Sequence, residues 1–553
     1  MKWWLIGCLI IVGCDEGNSI SAISNIKFTE VQTEIASTVC GADDPTQILE
    51  VNGTGLALFD FDNDNDLDLF VVNAASLDDF TSGPGCRLYE NNSTTNEIVF
   101  SDVTEHAKIQ ISTWANGVAI GDVDGDGNED IYITCHGPNV LLMNNGDGTF
   151  RDTTGSARVG DQGWGTSAAF GDLDGDGDLD LYVCNYLVFN PLSPPARARY
   201  KSQSVLGGPH GMIPQADVVY ENLGDGTFQD VTTQWGFATT PSFALNVAIL
   251  DFTGDGFVDV FVGNDSMSNK FYVNTDDSKT AFTEIGLHTG VAINGDGAMQ
   301  ATMGIAIADV NGNQRPDIFT TNFSSDTNTL HLNDASGFFD DRTKKYRLGL
   351  SSRSMLGWSC GFHDFDLDGD EDLLIVNGHV YPEATSETMD SERAQPMSLF
   401  ERDSRGFSKH KDDSSSTVFQ PHRDRAAVFG DVDNDGDTDV IINQRGGAVR
   451  VLRNDAEHTN TLTIHLHGNQ QNPRGLGASI HVLLNDGSIL SRWNHDGSGF
   501  QSSASTPITV AVGERTPEQI TVAWPDGTSQ VMKIVPAQGT FIIQQLKPTA
   551  SQQ

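Results

Sequence analysis

Between residues 55 and 454 the chain keeps returning to one cadence of apolar and polar positions. A short run of small and apolar residues, as at 117–120, 167–170, 304–308 and 426–429, stops at an acidic stretch. A β-prone run follows at once (67–73, 179–185, 258–264, 371–377), and a third comes soon after (87–92, 139–145, 218–224, 449–455). Then there is often a Gly-Asp-Gly turn, and a fourth run opened by a Phe with an acid two residues on. Short β-branched and aromatic runs bounded by turn residues read as strands. Four strands per unit, repeated along a chain, is the pattern of an all-β propeller.

The fourth-run Phe recurs as Phe100, Phe150, Phe228, Phe282, Phe339 and Phe407, and once more, ahead of the first acidic stretch, as Phe28. That displaced copy implies that a strand within 25–33 completes a last blade whose first three strands lie near 425–454. The ring then closes as a seven-bladed propeller over 25–454, and closure removes sheet edges that would otherwise pair with other chains. The small residues before each acidic stretch fit the innermost strands, where sheets converge on the axis. An insertion at 185–217, with Pro191, Pro194 and Pro195, reads as a surface loop of the kind that often carries binding. After about residue 455 the acidic units stop. Strand-like segments at 461–468, 477–493, 507–513, 518–535 and 540–546 read as a separate small β-sandwich over 455–548.

The first residues add an address. One Lys is followed by an apolar run from Trp3 to Gly13, then Cys14, then acid and polar residues. This is an export signal, and eleven helical residues reach only about 16 Å, too short for a permanent span of roughly 30 Å. Ile11, Val12, Gly13 and Cys14 resemble the bacterial lipobox. Residues 1–13 are therefore expected to be removed, Cys14 to carry lipid, and 14–24 to serve as a tether holding the protein in the bacterial cell envelope, on a membrane the sequence leaves open. Asp15 resembles the inner-membrane retention signal of enteric bacteria.

Length and charge narrow the field further. At 553 residues the chain exceeds one ordinary core. Its 76 Asp and Glu against 32 Lys and Arg give a net charge of −44, which repels nucleic acid and anionic membrane surfaces. With Cys8 removed and Cys14 lipidated, Cys40, Cys86, Cys135, Cys184 and Cys360 remain, an odd number; the loop-rich settings of Cys40 and Cys86 suggest a bridge between them.

Seven acidic stretches align, at 60–68, 122–130, 172–180, 251–259, 309–317, 364–372 and 431–439. Positions 1, 3, 5 and 9 are Asp60, Asp62, Asp64 and Asp68 in the first, Asp122, Asp124, Asp126 and Asp130 in the second, and Asp172, Asp174, Asp176 and Asp180 in the third. The sixth has Asp364, Asp366, Asp368 and Asp372, and the seventh Asp431, Asp433, Asp435 and Asp439. The fourth has Asp251, Thr253, Asp255 and Asp259, with a neutral ligand at position 3. Such oxygens, with Gly commonly at position 6 for the sharp turn, suit calcium, which takes six to eight oxygen ligands. Like charges crowded where a strand begins are relieved by a bound divalent ion. Position 12, where an EF-hand needs Glu, is Val71, Ile133, Val183, Val262, Thr320, Ile375 and Ile442, so the ion pins a β-hairpin and not two helices. About six calcium sites are expected. The fifth stretch, Asp309, Asn311, Asn313 and Asp317, lacks two carboxylates and the Gly, and leaves a seventh site open.

These units resemble FG-GAP or VCBS repeats, the calcium-bearing blades also found in integrin α-subunit propellers. Segments 475–482 and 522–530 look like the ASPIC/UnbV domain, and 377–384 and 208–228 are similar to segments of the same bacterial family, related to cartilage acidic protein. The resemblance implies extracellular binding or scaffolding with no established common reaction.

Catalytic signals are weak beside this. The stretch 357–361 matches G-x-S-x-G around Ser359, but it occupies an inner-strand slot and not a strand-to-helix elbow. His136 and His379 stand just beyond second strands, where such residues commonly anchor loops. Two readings follow. One is a lipid-anchored, calcium-stabilised binding or scaffold protein for a protein or glycan partner, without enzymatic activity. The alternative is a calcium-dependent polysaccharide lyase or hydrolase on a propeller scaffold.

Overall fold

The computed structural model describes residues 26–546 apart from 81–82, 96, 276–278, 335, 412–415, 458–459, 498, 534–535 and 537. The expected export signal, the lipidated Cys14 and the tether lie outside the described residues. Among those described, seven antiparallel four-stranded units follow one another, one of them extended by a further strand. Their inner strands are Leu56–Phe59, Ala115–Gly121, Gly165–Gly171, Ala244–Leu250, Ile305–Ala308, Gly357–His363 and Asp424–Gly430. Each neighbours the inner strand of the sheet before and after it, and the last neighbours the first, so the blades close into a ring. Closure uses the displaced strand: Phe28–Val31 pairs antiparallel with Arg450–Asn454, Phe28 opposite Asn454.

Inner strands are buried, with only His363 half-buried among them, and use small residues for a geometric reason. A Cβ on Gly361 would lie 2.5 Å from the Phe429 ring of the next inner strand. Between blades, apolar residues interdigitate; Phe70, Ile120 and Ile133, for example, share one cluster across blades 1 and 2.

Beyond the ring, Ile508–Ala511, Thr461–His467 and Gly539–Gln544 form one sheet, and Ile489–Trp493, Ser479–Leu484, Pro517–Ala523 and Ser529–Lys533 a second. Leu462, Ile464, Ile480, Val482, Val510 and Val522 alternate inward to a shared core, as the period of two requires for a sandwich.

The sandwich is not set apart from the ring, as its sequence pattern implied. The segment between its strands at 489–493 and 508–511 enters the ring axis and bonds to the edges that inner strands leave open there. Ser503 and Ala504 pair in parallel with Ala57 and Leu58. Val118 N donates to Gln501 O (3.2 Å), Phe170 N to Asp496 Oδ2 (3.1 Å), Asn246 Nδ2 to Gly499 O (2.7 Å), and Ile305 and Gly499 exchange backbone bonds. Phe500 packs on Trp358, ring centroids 4.9 Å apart. Five blades thus satisfy backbone or amide donors on this plug, which is why an irregular segment can lie buried. Gly497, at φ +85°, admits the closest approach: a Cβ there would lie 2.1 Å from Val247 O.

The axial cluster continues from Phe500 and Trp358 through Trp164, Trp114 and Phe243 to Leu49 and Ile48, on a strap from the N-terminal segment. Buried Arg425 and Arg445 hold that strap, Arg425 Nε donating to Val51 O (2.8 Å) and Arg445 Nη1 to Asp43 O (3.0 Å). The 185–217 insertion also folds back over the ring. Its hairpin, Ala198–Tyr200 with Gln203–Val205, sets Tyr200 against Phe323 and Tyr381 of distant blades, both at 5.8 Å.

The suggested Cys40–Cys86 bridge is not formed, and both are buried free thiols. Cys40 belongs to the axial cluster and Cys86 to the layer between blades 1 and 2, so folding places them in different cores. Burial pushes the Cys86 thiol up to about 12.

Candidate metal centres

Each acidic stretch is the hairpin between an inner strand and the second strand of its blade. The position-1 carboxylate organises the turn: Asp60 Oδ1 and Oδ2 accept from Asp64 N and Asn65 N, and Asp431 does the same with Asp435 N and Gly436 N. The position-9 carboxylate opens the second strand and reaches both ways. Asp130 Oδ2 accepts from Val123 N (3.0 Å) and Oδ1 from Asn144 N on the third strand (2.8 Å). Asp68, Asp180, Asp317, Asp372 and Asp439 repeat this pair of bonds.

Five loops bring three carboxylate oxygens within 4.8 Å of one another: Asp60, Asp62 and Asp68; Asp122, Asp124 and Asp130; Asp172, Asp174 and Asp180; Asp364, Asp366 and Asp372; and Asp431, Asp433 and Asp439. These are positions 1, 3 and 9 each time. The position-5 residues Asp64, Asp126, Asp176, Asp368 and Asp435 stand outside the gathered set, each accepting from the backbone N–H two residues on.

The counter-charges stand off from these clusters: Arg474 Nη2 lies 3.8 Å from Asp60 Oδ2 and Arg151 Nη2 3.9 Å from Asp124 Oδ2. Burial raises Asp68 to about 8, Asp172 and Asp431 to about 7, and Asp122, Asp174, Asp366 and Asp433 to about 6. Neighbouring carboxylates push in the same direction. Asp124 Oδ1, Asp366 Oδ1 and both oxygens of Asp433 are buried with no hydrogen-bond partner. Buried oxygen lone pairs converging without a donor fit a hard, oxygen-preferring cation.

Two loops set protein nitrogen beside the carboxylates that remain. At 309–317, Asn311 Nδ2 faces Asp317 Oδ2 (3.5 Å), Asn313 Nδ2 donates to Asn333 O (2.8 Å), and Arg402 of the next blade donates to Val310 O, while burial still raises Asp317 to about 8 against the pull of that guanidinium. At 251–259, where Thr253 replaces the carboxylate, Arg315 of the next blade donates to Thr253 O. Asp251, Asp255 and Asp259 do not gather as the five triads do. Asp251 instead takes the N–H groups of Gly254, Asp255 and Gly256.

A third-strand Asn escaped the sequence reading. Asn144 Nδ2 donates to Glu129 O of its own loop and to Phe61 O of the preceding blade's loop (2.8 Å). Asn91, Asn222 and Asn333 make the same pair of hydrogen bonds, Asn454 reaches Phe365 O of the loop before it, and Arg402 takes the place of Asn in blade 6. Only blade 4 departs among the described residues, since Asn274 bonds to Lys279 O within its own blade. Its signal in the sequence is the Asn that ends every third run except that of blade 6.

The sandwich rests on this loop face. Arg474 Nη2 lies 3.3 Å from Glu129 Oε2 and 3.8 Å from Asp60 Oδ2, Gln470 Nε2 donates to Gly125 O (3.3 Å), and Arg515 Nη2 to Asp368 O (3.3 Å).

The other singled-out residues are structural. Ser359 Oγ donates to Ala427 O (3.1 Å) inside the ring. His379 Nδ1 accepts from Tyr381 N, so its Nε2 carries the proton toward Ser324 Oγ (3.1 Å). His136 is wedged edge-on among Phe80, Trp164 and Phe189.

The FG-GAP-like repeat family matches residues 60–133, 122–183, 206–262, 251–320 and 309–375, together more than half of the chain, and the ASPIC and UnbV family matches 468–550. No match was found among curated proteins. Among solved structures, an Agrocybe aegerita lectin that recognises non-reducing terminal N-acetylglucosamine is similar at 15% identity and TM-score 0.40, over 67% of this chain and 88% of that one. A Lactobacillus plantarum protein is similar at 14% and 0.36, over 65% and 84%. The extracellular domain of a hybrid two-component system from B. thetaiotaomicron is similar at 10% and 0.39, over 89% and 51%.

Proposed function

The chain belongs to the FG-GAP-like repeat family and ends in an ASPIC and UnbV domain, and from this premise we propose that it is an exported, lipid-anchored binding or scaffold protein whose ring is clipped by calcium. The observation that carries the reading is the set of five carboxylate triads, four of them with a buried oxygen that has no hydrogen-bond partner, at the loops on which the C-terminal sandwich rests. Asp at positions 1, 3 and 9 would hold the ion, whose chemistry is to neutralise the turn and fix the hairpin. The two families are typical of non-catalytic proteins, and the carboxylates that could serve as acid and base are committed to the loops. The partner is a protein or glycan in the envelope, and the membrane is engaged through Cys14 lipid alone.

The test is incubation of the calcium-loaded protein with immobilised envelope glycans and proteins. Retention without turnover is expected, and turnover of a glycan would contradict the reading. The anchor is checked in the same preparation: Cys14→Ser should move the protein out of the membrane fraction, and unchanged association would refute it.

A further inference from the structure

We infer that the cleft between ring and sandwich binds a neutral oligosaccharide, an inference that rests on the binding reading above and names its site and ligand class. The cleft encloses about 690 Å³, a size in the range of small-ligand sites. One wall is the outward face of the three-stranded sheet. Because side chains alternate along a strand, Leu462, Ile464 and Leu466 fill the sandwich core while Thr463, His465 and His467 face out. Cross-strand register sets Thr509 and Thr540 on either side of Thr463, and Ile542 beside His465. The acidic loops of blades 6 and 7 line the cleft too, as do Arg492, Trp493 and His495.

Charge decides the ligand class. Arg492 is paired with Glu371 at 3.2 Å. Asp364 and Asp431 belong to carboxylate triads and turn into their own loops, accepting from Gly369 N and Gly436 N, and Asp435, also lining the cleft, accepts from Asp437 N of its own loop. With those charges committed, the groups left to a ligand are hydroxyls, imidazoles and apolar surface. Thr463, Thr509, Thr540 and His465 make no side-chain hydrogen bond among the described residues, and Arg492 Nη2 and His495 Nδ1 are buried without a partner. Ile542 is 67% exposed at the mouth. An apolar ligand would leave these polar groups unpaired, and an anion or a cation would meet a committed charge of its own sign. A hydroxyl-rich, uncharged molecule with apolar ring faces satisfies this lining.

The experiment is calorimetric titration of the calcium-loaded chain with neutral trisaccharides (maltotriose, cellotriose, N,N′,N″-triacetylchitotriose), and with trigalacturonate and chitosan trimer as charged counterparts. At least one neutral trisaccharide should bind, with both charged ones at least tenfold weaker. Thr463→Val and His465→Ala should each weaken binding at least tenfold at unchanged Tm, while Thr521→Val, on the other sheet, should not. Absence of neutral-saccharide binding, or preference for a charged trimer, would overturn the inference. Saccharide binding that survives both substitutions would remove the cleft yet leave the binding function standing. Cleavage of a bound saccharide would instead overturn the non-enzymatic reading and keep the cleft as its site.

Discussion

A position-9 aspartate shows how one residue type serves two ends in this molecule. Asp130 closes its hairpin through Val123 N and ties the third strand through Asn144 N, while sharing a buried cluster with Asp122 and Asp124. Without an ion, burial holds Asp68 near 8 and Asp172 and Asp431 near 7, against about 3.9 in the unfolded chain. A raised folded value means stability that is complete below the unfolded value and is lost as pH climbs through the folded one. Chelated protein should therefore melt at a lower temperature at pH 8.5 than at pH 5.5, and excess calcium should abolish that decline, because the ion displaces the protons. Calorimetric Tm across this range decides it; a chelated protein that gains stability with pH would be inconsistent with buried, uncompensated triads. The Asp spacing was legible because it repeats with period-like regularity along the chain. The nitrogen substitutes were not: Arg315 and Arg402 act on the loop of the preceding blade, a neighbour that only the ring supplies.

At the scale of the strand and blade, the third-strand Asn is the joint between units. Asn144→Ala would orphan Phe61 O and Glu129 O, both bonded to its amide, and an unpaired buried acceptor costs about 1–3 kcal/mol. Asn274→Ala, where the amide bonds only within its own blade, should cost less than half as much in denaturant unfolding. Equal losses at the two positions would contradict a stapling role. Blade strands were readable from the alternation of small, acidic and β-prone runs, and the closing strand from Phe28, whose register opposite Asn454 matches the expected join. Asn at the end of the third runs, blade 6 excepted, is not a distinctive signal, because Asn is common in turns and nothing local distinguishes a stapling amide from a turn former.

Across the whole molecule, the ring and the sandwich are joined by the plug, whose Phe500 packs on Trp358 in the axial cluster while the sandwich keeps a core of its own. Truncating it should destabilise by about 3–5 kcal/mol, and Phe500→Ala should still unfold at a lower temperature in one shared transition for the wild-type pairing to hold; two well-separated transitions in the wild-type protein would refute the coupling. This union was hidden in the sequence. The plug carries no repeat and no alternation, and its Gly and Ser content reads as an exposed turn, because its partners are backbone and amide groups of five different blades. The same holds for the strap near residue 48 and for the 185–217 insertion, whose contacts cross the ring.

Calcium content measured on protein purified without chelator bears most directly on the clipped ring. Elemental analysis should find five ions per chain, one for each carboxylate triad. Protein that folds and stays folded with no alkaline-earth ion bound would contradict it.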